Sequence, residues 1–189
     1  MTRFVLAAAV VVLLPVGAAQ AQDRFGLGMR VVSKGRSTNT EDVAFRGGGF
    51  QASFRPWQRW SFDLSFDALH ARWESGAVDA SALQFLAGVR WYLFPRPDWN
   101  LYLLGALGGG SSRVTFLLAD GRQDEDRYAE TLFHFGAGLE YRLGRFGLAA
   151  ELRAVAISGE LQEDDLDGHI LGGIGTGGLQ ANFGGTFYF

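Results

Sequence analysis

Glutamate and arginine recur two residues apart late in the chain, as Glu140-Tyr141-Arg142 and again as Glu151-Leu152-Arg153, with Gly144-Arg145 between the two pairs. In extended chain this spacing puts each acid and base on one face. If Gly144-Arg145 is a two-residue turn, the antiparallel register sets Gly138 opposite Glu151, Gly136 opposite Arg153 and Gly147 opposite Arg142. Each long charged side chain then has a glycine across from it and room to reach a partner. Arg30, Asp63, Asp67 and Arg90 share that face character on other segments. Such a set can neutralise itself as a plug, or, left hydrated, select ions. Plugging is favoured, because opposite charges are at hand and an unpaired buried charge is costly.

Other reactive residues are sparse. The chain has no cysteine, which removes thiol redox chemistry and cysteine zinc sites. His70, His134 and His169 stand apart; His134 is expected to face inward near Glu151 or Arg153. Glu163, Asp165, Asp167 and Gly168 resemble the start of a calcium loop, but Ile174 takes the place of the closing carboxylate. A solvated acidic loop is the better reading, with Asp120, Asp124, Glu125 and Asp126 on the same rim. Gly47-Gly48-Gly49 and Gly108-Gly109-Gly110 lack the Lys-Ser/Thr of a phosphate loop and read as bulges or kinks in strands. No catalytic residue, metal site or cofactor site is assigned.

The elements that must carry these residues are strands. Period-two alternation marks eight: Asp23 to Lys34, Val43 to Arg55, Trp60 to Trp73, Ser81 to Phe94, Asn100 to Phe116, Thr131 to Leu143, Phe146 to Ser158 and Leu171 to Phe189. Connections after the second, fourth and sixth are short turns, while those after the first, third, fifth and seventh are longer and polar, such as LLADGRQDEDRYAE. The 27 glycines, 14% aromatic content and only four prolines suit an all-strand protein.

Residues 1 to 21 read as a secretory signal peptide: Arg3, an apolar run from Phe4 to Val16, then the small-x-small pattern Ala19-Gln20-Ala21. The run is too short to span a membrane, and no later segment offers about 18 consecutive apolar residues. Residues 22 to 189 form the expected single domain. Removal of the leader takes away one of the 17 basic residues and none of the 20 acidic ones, leaving a formal charge of −4. Nucleic acid is therefore not an expected partner.

The two faces of the strands decide between a soluble and a membrane barrel. Phe133, Phe135, Ala137, Leu139 and Tyr141 make one continuous apolar face, as do Trp60, Phe62, Leu64 and Phe66. The opposite faces are too rich in glycine, alanine and serine for open solvent and suit a crowded lumen. The architecture expected is an all-β, eight-stranded antiparallel up-and-down transmembrane barrel, apolar outside and polar within. Trp57, Trp60, Trp91, Tyr92, Trp99, Tyr102, Tyr141, Phe146, Phe187 and Phe189 gather at the turn rim as a membrane girdle. An even strand count puts both termini at that rim, the periplasmic side for an exported chain.

The leader, the eight alternating strands and the terminal run Phe183-x-x-x-Phe187-x-Phe189 resemble the small bacterial outer-membrane barrels of the OmpA and OmpX type. The resemblance covers essentially the whole mature chain. It implies that the barrel-assembly machinery reads Phe183, Phe187 and Phe189 as an address, and that outer-membrane lipids and lipopolysaccharide surround the wall. With its last strand at the end of the sequence, the chain is expected to lack the peptidoglycan-binding domain that full-length OmpA proteins carry. The His-x-Ser pair of the lipid A deacylases is missing: His70 precedes Ala-Arg, His134 precedes Phe-Gly and His169 precedes Ile-Leu. The expected role is a monomeric, non-enzymatic barrel for envelope integrity or surface contact, with a narrow channel or a lipid A modifying enzyme as alternatives. Divalent cations bridging the acidic rim to lipopolysaccharide are a further expectation.

Overall fold

A computed structural model describes residues 24–37, 42–72, 78–96, 98–117, 122–161 and 176–189. Alternating side chains carry the chain through β1 (Phe25–Ser37), β2 (Asp42–Trp57), β3 (Trp60–Arg72), β4 (Val78–Tyr92), β5 (Trp99–Leu117), β6 (Gln123–Leu143), β7 (Phe146–Leu161) and β8 (Thr176–Tyr188). Each strand pairs antiparallel with the next, and β8 closes on β1 as a barrel. The row of paired residues that starts at Trp60 runs through Trp91, Leu103, Ala137, Leu152, Ala181, Ser33 and Arg46 and returns to β3 at His70, ten residues from its origin. This stagger tilts the strands, so every such row climbs as it circles the wall.

The wall has the expected polarity. Phe133, Phe135, Leu139 and Leu152 are 53%, 66%, 40% and 59% exposed on the outside, whereas Glu151 and Arg153 are enclosed at 7% and 4%. A water-soluble protein does not present so continuous an apolar exterior. Acyl chains are the matching solvent.

The β6–β7 turn is the two-residue Gly144-Arg145 link, with Gly144 in the left-handed region at φ 61°. It sets the register derived above: Gly138 with Glu151, Gly136 with Arg153, and Gly147 with Arg142.

Three expectations are corrected. The glycine triplets do not break the pairing, which runs through Gly47–Gly49 and Gly108–Gly110 on both sides, and in β2 the register shifts only between Phe54 and Trp57, beside the turn. Their use is close approach: a Cβ on Gly108 would collide with the Phe85 carbonyl. Next, most of the supposed loop LLADGRQDEDRYAE is strand, since β6 begins at Gln123 and pairs with β5 as far as Leu117. Beyond the apolar belt neither face needs to be apolar, so Gln-Asp-Glu-Asp-Arg carries no alternation to read. Lastly, Tyr92 and Tyr102 leave the girdle and lie inside, 1% and 0% exposed. The leader, residues 1–21, and His169, Asp120, Glu163, Asp165, Asp167 and Gly168 lie outside the described residues.

Candidate functional site

The eight charged residues picked from the sequence all lie in the lumen, four bases and four acids, brought together from β1, β3, β4, β6 and β7. Arg30 grips Asp67 with two nitrogens, Nε to Oδ1 at 2.8 Å and Nη2 to Oδ2 at 2.5 Å, and also donates to Ser65 Oγ at 2.9 Å. Arg90 bridges two acids, Nε to Asp63 at 3.1 Å and Nη2 to Glu151 at 3.0 Å. Glu151 also accepts from Arg153 Nε at 2.9 Å, Tyr102 Oη at 2.8 Å and Asn182 Nδ2 at 3.0 Å. Nearer the turns, Arg142 Nε donates to Glu140, which also receives Tyr92 Oη at 2.9 Å and Tyr188 Oη at 3.3 Å. Gln51 and Ser53 link the groups: Arg30 donates to Gln51, Gln51 to Ser53, and Ser53 to Asp63. Equal numbers of opposite charges, each with a partner, offset the cost of taking them out of water.

The tyrosines were the members missed. Residue parity already pointed them inward, since Tyr92 follows Arg90 by two, Tyr102 follows Asn100 by two, and Tyr188 shares a face with Asn182 and Thr186. The aromatic character of Tyr92 and Tyr102, read as a girdle signal, masked this. Each ring also underlies a guanidinium: Arg55 sits 3.8 Å above the Tyr92 centroid, Arg142 4.0 Å above Tyr188 and Arg90 5.0 Å from Tyr102. Gly138 makes this possible, because a Cβ there would meet the Tyr102 ring at 2.5 Å.

A void of about 20 Å³ lies among Arg30, Asp63, Ser65, Arg90 and Arg153, enough for about one water. Toward the loop rim the lumen changes character. Val32, Phe45, Leu69, Ala71, Ala80 and Ala82 form one buried apolar cluster, and Leu86, Leu132, Val155 and Ile157 a second. His134 is buried at this upper level, paired in register with Ala106 and Val155, and neither ring nitrogen has a hydrogen-bond partner among the described residues. It is not joined to Glu151 or Arg153 by a hydrogen bond. His70 lies on the outer face at the loop rim, Nδ1 3.4 Å from Asp79.

The acidic rim residues that are described belong to β6: Glu125 takes Arg127 Nε at 2.7 Å and Arg113 Nε at 3.3 Å, and Asp126 accepts from Tyr128 at 3.2 Å. At the opposite end Phe183, Phe187 and Phe189 face outward, 59%, 51% and 46% exposed. With them Trp57, Trp60, Trp91, Trp99 and Phe146 ring the turn rim on the outside, and Trp60 stacks on Trp91 at 6.2 Å.

The family model of the outer membrane protein beta-barrel domain matches residues 4–187. No curated protein matches the sequence. Among solved structures, Neisserial surface protein A is similar in fold, with a TM-score of 0.65 at 12% identity over 87% of this chain and 97% of that one. Ail, the attachment invasion locus protein of Yersinia pestis, gives a TM-score of 0.58 at 16% identity over 89% and 99%. At such identities the likeness is one of fold.

Proposed function

Because the chain belongs to the outer membrane protein β-barrel family, we propose that it is a closed, non-enzymatic, monomeric barrel that strengthens the envelope and presents its loop rim for surface contact. The observation that carries this reading is the matched set of four arginines and four carboxylates in the lumen, which leaves a void of only about 20 Å³ among Arg30, Asp63, Arg90 and Arg153. A channel needs hydrated, unpaired groups along its axis, and here charges neutralise one another while apolar clusters close the loop-rim half. An enzyme needs a nucleophile or base beside an orienting partner. His134 lies against Ala106 and Val155 in register, and His70 pairs with an exposed aspartate on the outer face.

Both termini face the periplasm in this reading, so the loop rim points outward. The barrel-assembly machinery takes Phe183, Phe187 and Phe189 as its address, as the resemblance to OmpA-type barrels implies. The test is conductance across planar bilayers containing the folded protein. Silence at voltages of either sign is expected; steady ohmic conductance overturns the plug. An altered lipid A mass spectrum in cells expressing the protein overturns the non-enzymatic reading.

A further inference from the structure

We propose that the outer face of β2 to β6 is a binding site for a lipid A class molecule, a lipid with several acyl chains and more than one phosphate. Two independent features of one wall meet there. The first is a row of basic side chains: the ladder pairs Arg46 with His70, His70 with Ser81, Ser81 with Arg113, and Arg113 with Arg127. Odd and even residues alternate across the wall, so Arg46, His70, Arg113 and Arg127 point away from the lumen and are exposed, with Asp79 3.4 Å from His70 Nδ1 on the same face. Arg113 and Arg127 share one carboxylate, each through Nε, at 3.3 and 2.7 Å from Glu125 Oε1. Glu125 thereby braces two guanidiniums side by side, and the trio keeps one net positive charge. The second feature lies along the same strands toward the turns: an apolar furrow that crosses the lipid-facing wall from β1 to β7, about 1020 Å³ over its whole length, lined on β3 to β6 by Leu64, Ala87, Val89, Leu107, Phe133 and Phe135. That volume is at the upper end of small-molecule sites. Gly105 keeps its floor open, for a Cβ built there meets nothing within 4 Å.

Charge and shape together select the occupant. From Arg46 to Arg127 the row crosses four strand intervals, roughly 19 Å at the usual strand spacing. One phosphodiester spans only a fraction of that, whereas a head with separated phosphates reaches both ends. Guanidinium binds phosphate through paired N–H donors, and contacts of this kind are worth about twice a neutral hydrogen bond. The row climbs from the edge of the apolar belt on β2 and β3 toward the β5–β6 hairpin, so head and chains lie in the order a membrane lipid requires. The proposal rests on the outward direction of the loop rim only for its place in the cell; the binding itself is tested without orientation.

The test is native mass spectrometry of the full mature chain, folded in detergent and offered lipids singly: bisphosphorylated lipid A, the same lipid stripped of both phosphates, and phosphatidylglycerol. Retention of bisphosphorylated lipid A at least about tenfold above the other two is expected. Arg113→Ser with Arg127→Ser removes most of that preference, and Gly105→Leu, which places a branched side chain in the furrow from a Cβ with open space around it, weakens retention by about threefold or more. Heat-modified gel migration checks that each variant is folded. Equal retention of phosphatidylglycerol, or wild-type retention by both variants, overturns the proposal. A conducting or enzymatic barrel that still shows the preference overturns the functional reading and leaves this one standing.

Discussion

The two halves of the lumen are packed by opposite means. On β3 and β7 the inward residues near the turns are polar or charged and those nearer the loops are apolar: Asp63, Ser65 and Asp67 give way to Leu69 and Ala71, and Glu151 and Arg153 to Val155 and Ile157, while on β1, β4, β5 and β6 Lys34, Gln84, Ser112 and Glu130 are buried beside the apolar clusters. The turn-rim half is held by directional bonds between named partners, so each member depends on the others. The loop-rim half is held mainly by apolar contact, with the buried hydrogen bond from Ser112 to Glu130 at 2.7 Å beside it. A filled barrel of this width needs only one such plug to be closed. Having both separates specificity, which lies with the charges, from simple exclusion of water, which lies with the apolar clusters.

Breaking the charged half has the largest expected effect. Glu151→Leu strips Arg90 and Arg153 of a shared acid, and a buried charge left without its partner costs about 3–5 kcal/mol. Equilibrium unfolding in urea from lipid vesicles measures it; a loss below about 1 kcal/mol contradicts the interdependence of the network. In the other half, Leu132→Ala opens a cavity in a fully buried position and costs about 3 kcal/mol. Under the proposed function that variant is expected to stay electrically silent in bilayers, with the charged half as the remaining plug. Smallest is the joint change Arg30→Met with Asp67→Leu. It removes both charges of one pair and leaves Ser65 and Gln51 each short of a donor, for a net cost of about 1 kcal/mol. Either single change costs more than the double, and a double-mutant cycle reads the coupling.

Alternation made the barrel legible. Phe133, Phe135, Leu139 and Leu152 announce one face, and the turn at Gly144-Arg145 then fixes the register of β6 on β7 without further information. The eight ionisable residues were legible for the same reason, as charges on the face that a membrane barrel encloses. Who pairs with whom was not. Arg30 meets Asp67 across 37 positions, and only barrel closure and stagger bring them together. The apolar clusters were hidden because Val32, Leu69 and Ile157 are no different in type from the residues on the outer face, and parity alone distinguishes them. Tyr92 and Tyr102 were lost to a competing rule, that rings near a rim belong to the interface. The β5–β6 hairpin was lost because charges on both sides give a strand no period.

All of this stands on which face of the wall meets lipid. The chain has no cysteine, so single cysteines from Leu132 to Ala137 can each carry a spin label in the folded protein in bilayers. Collision rates with oxygen, which concentrates among acyl chains, are predicted to be high at 133, 135 and 137 and low at 132, 134 and 136. A reversed pattern, or equal access of a water-soluble nickel complex to both sets, contradicts the account.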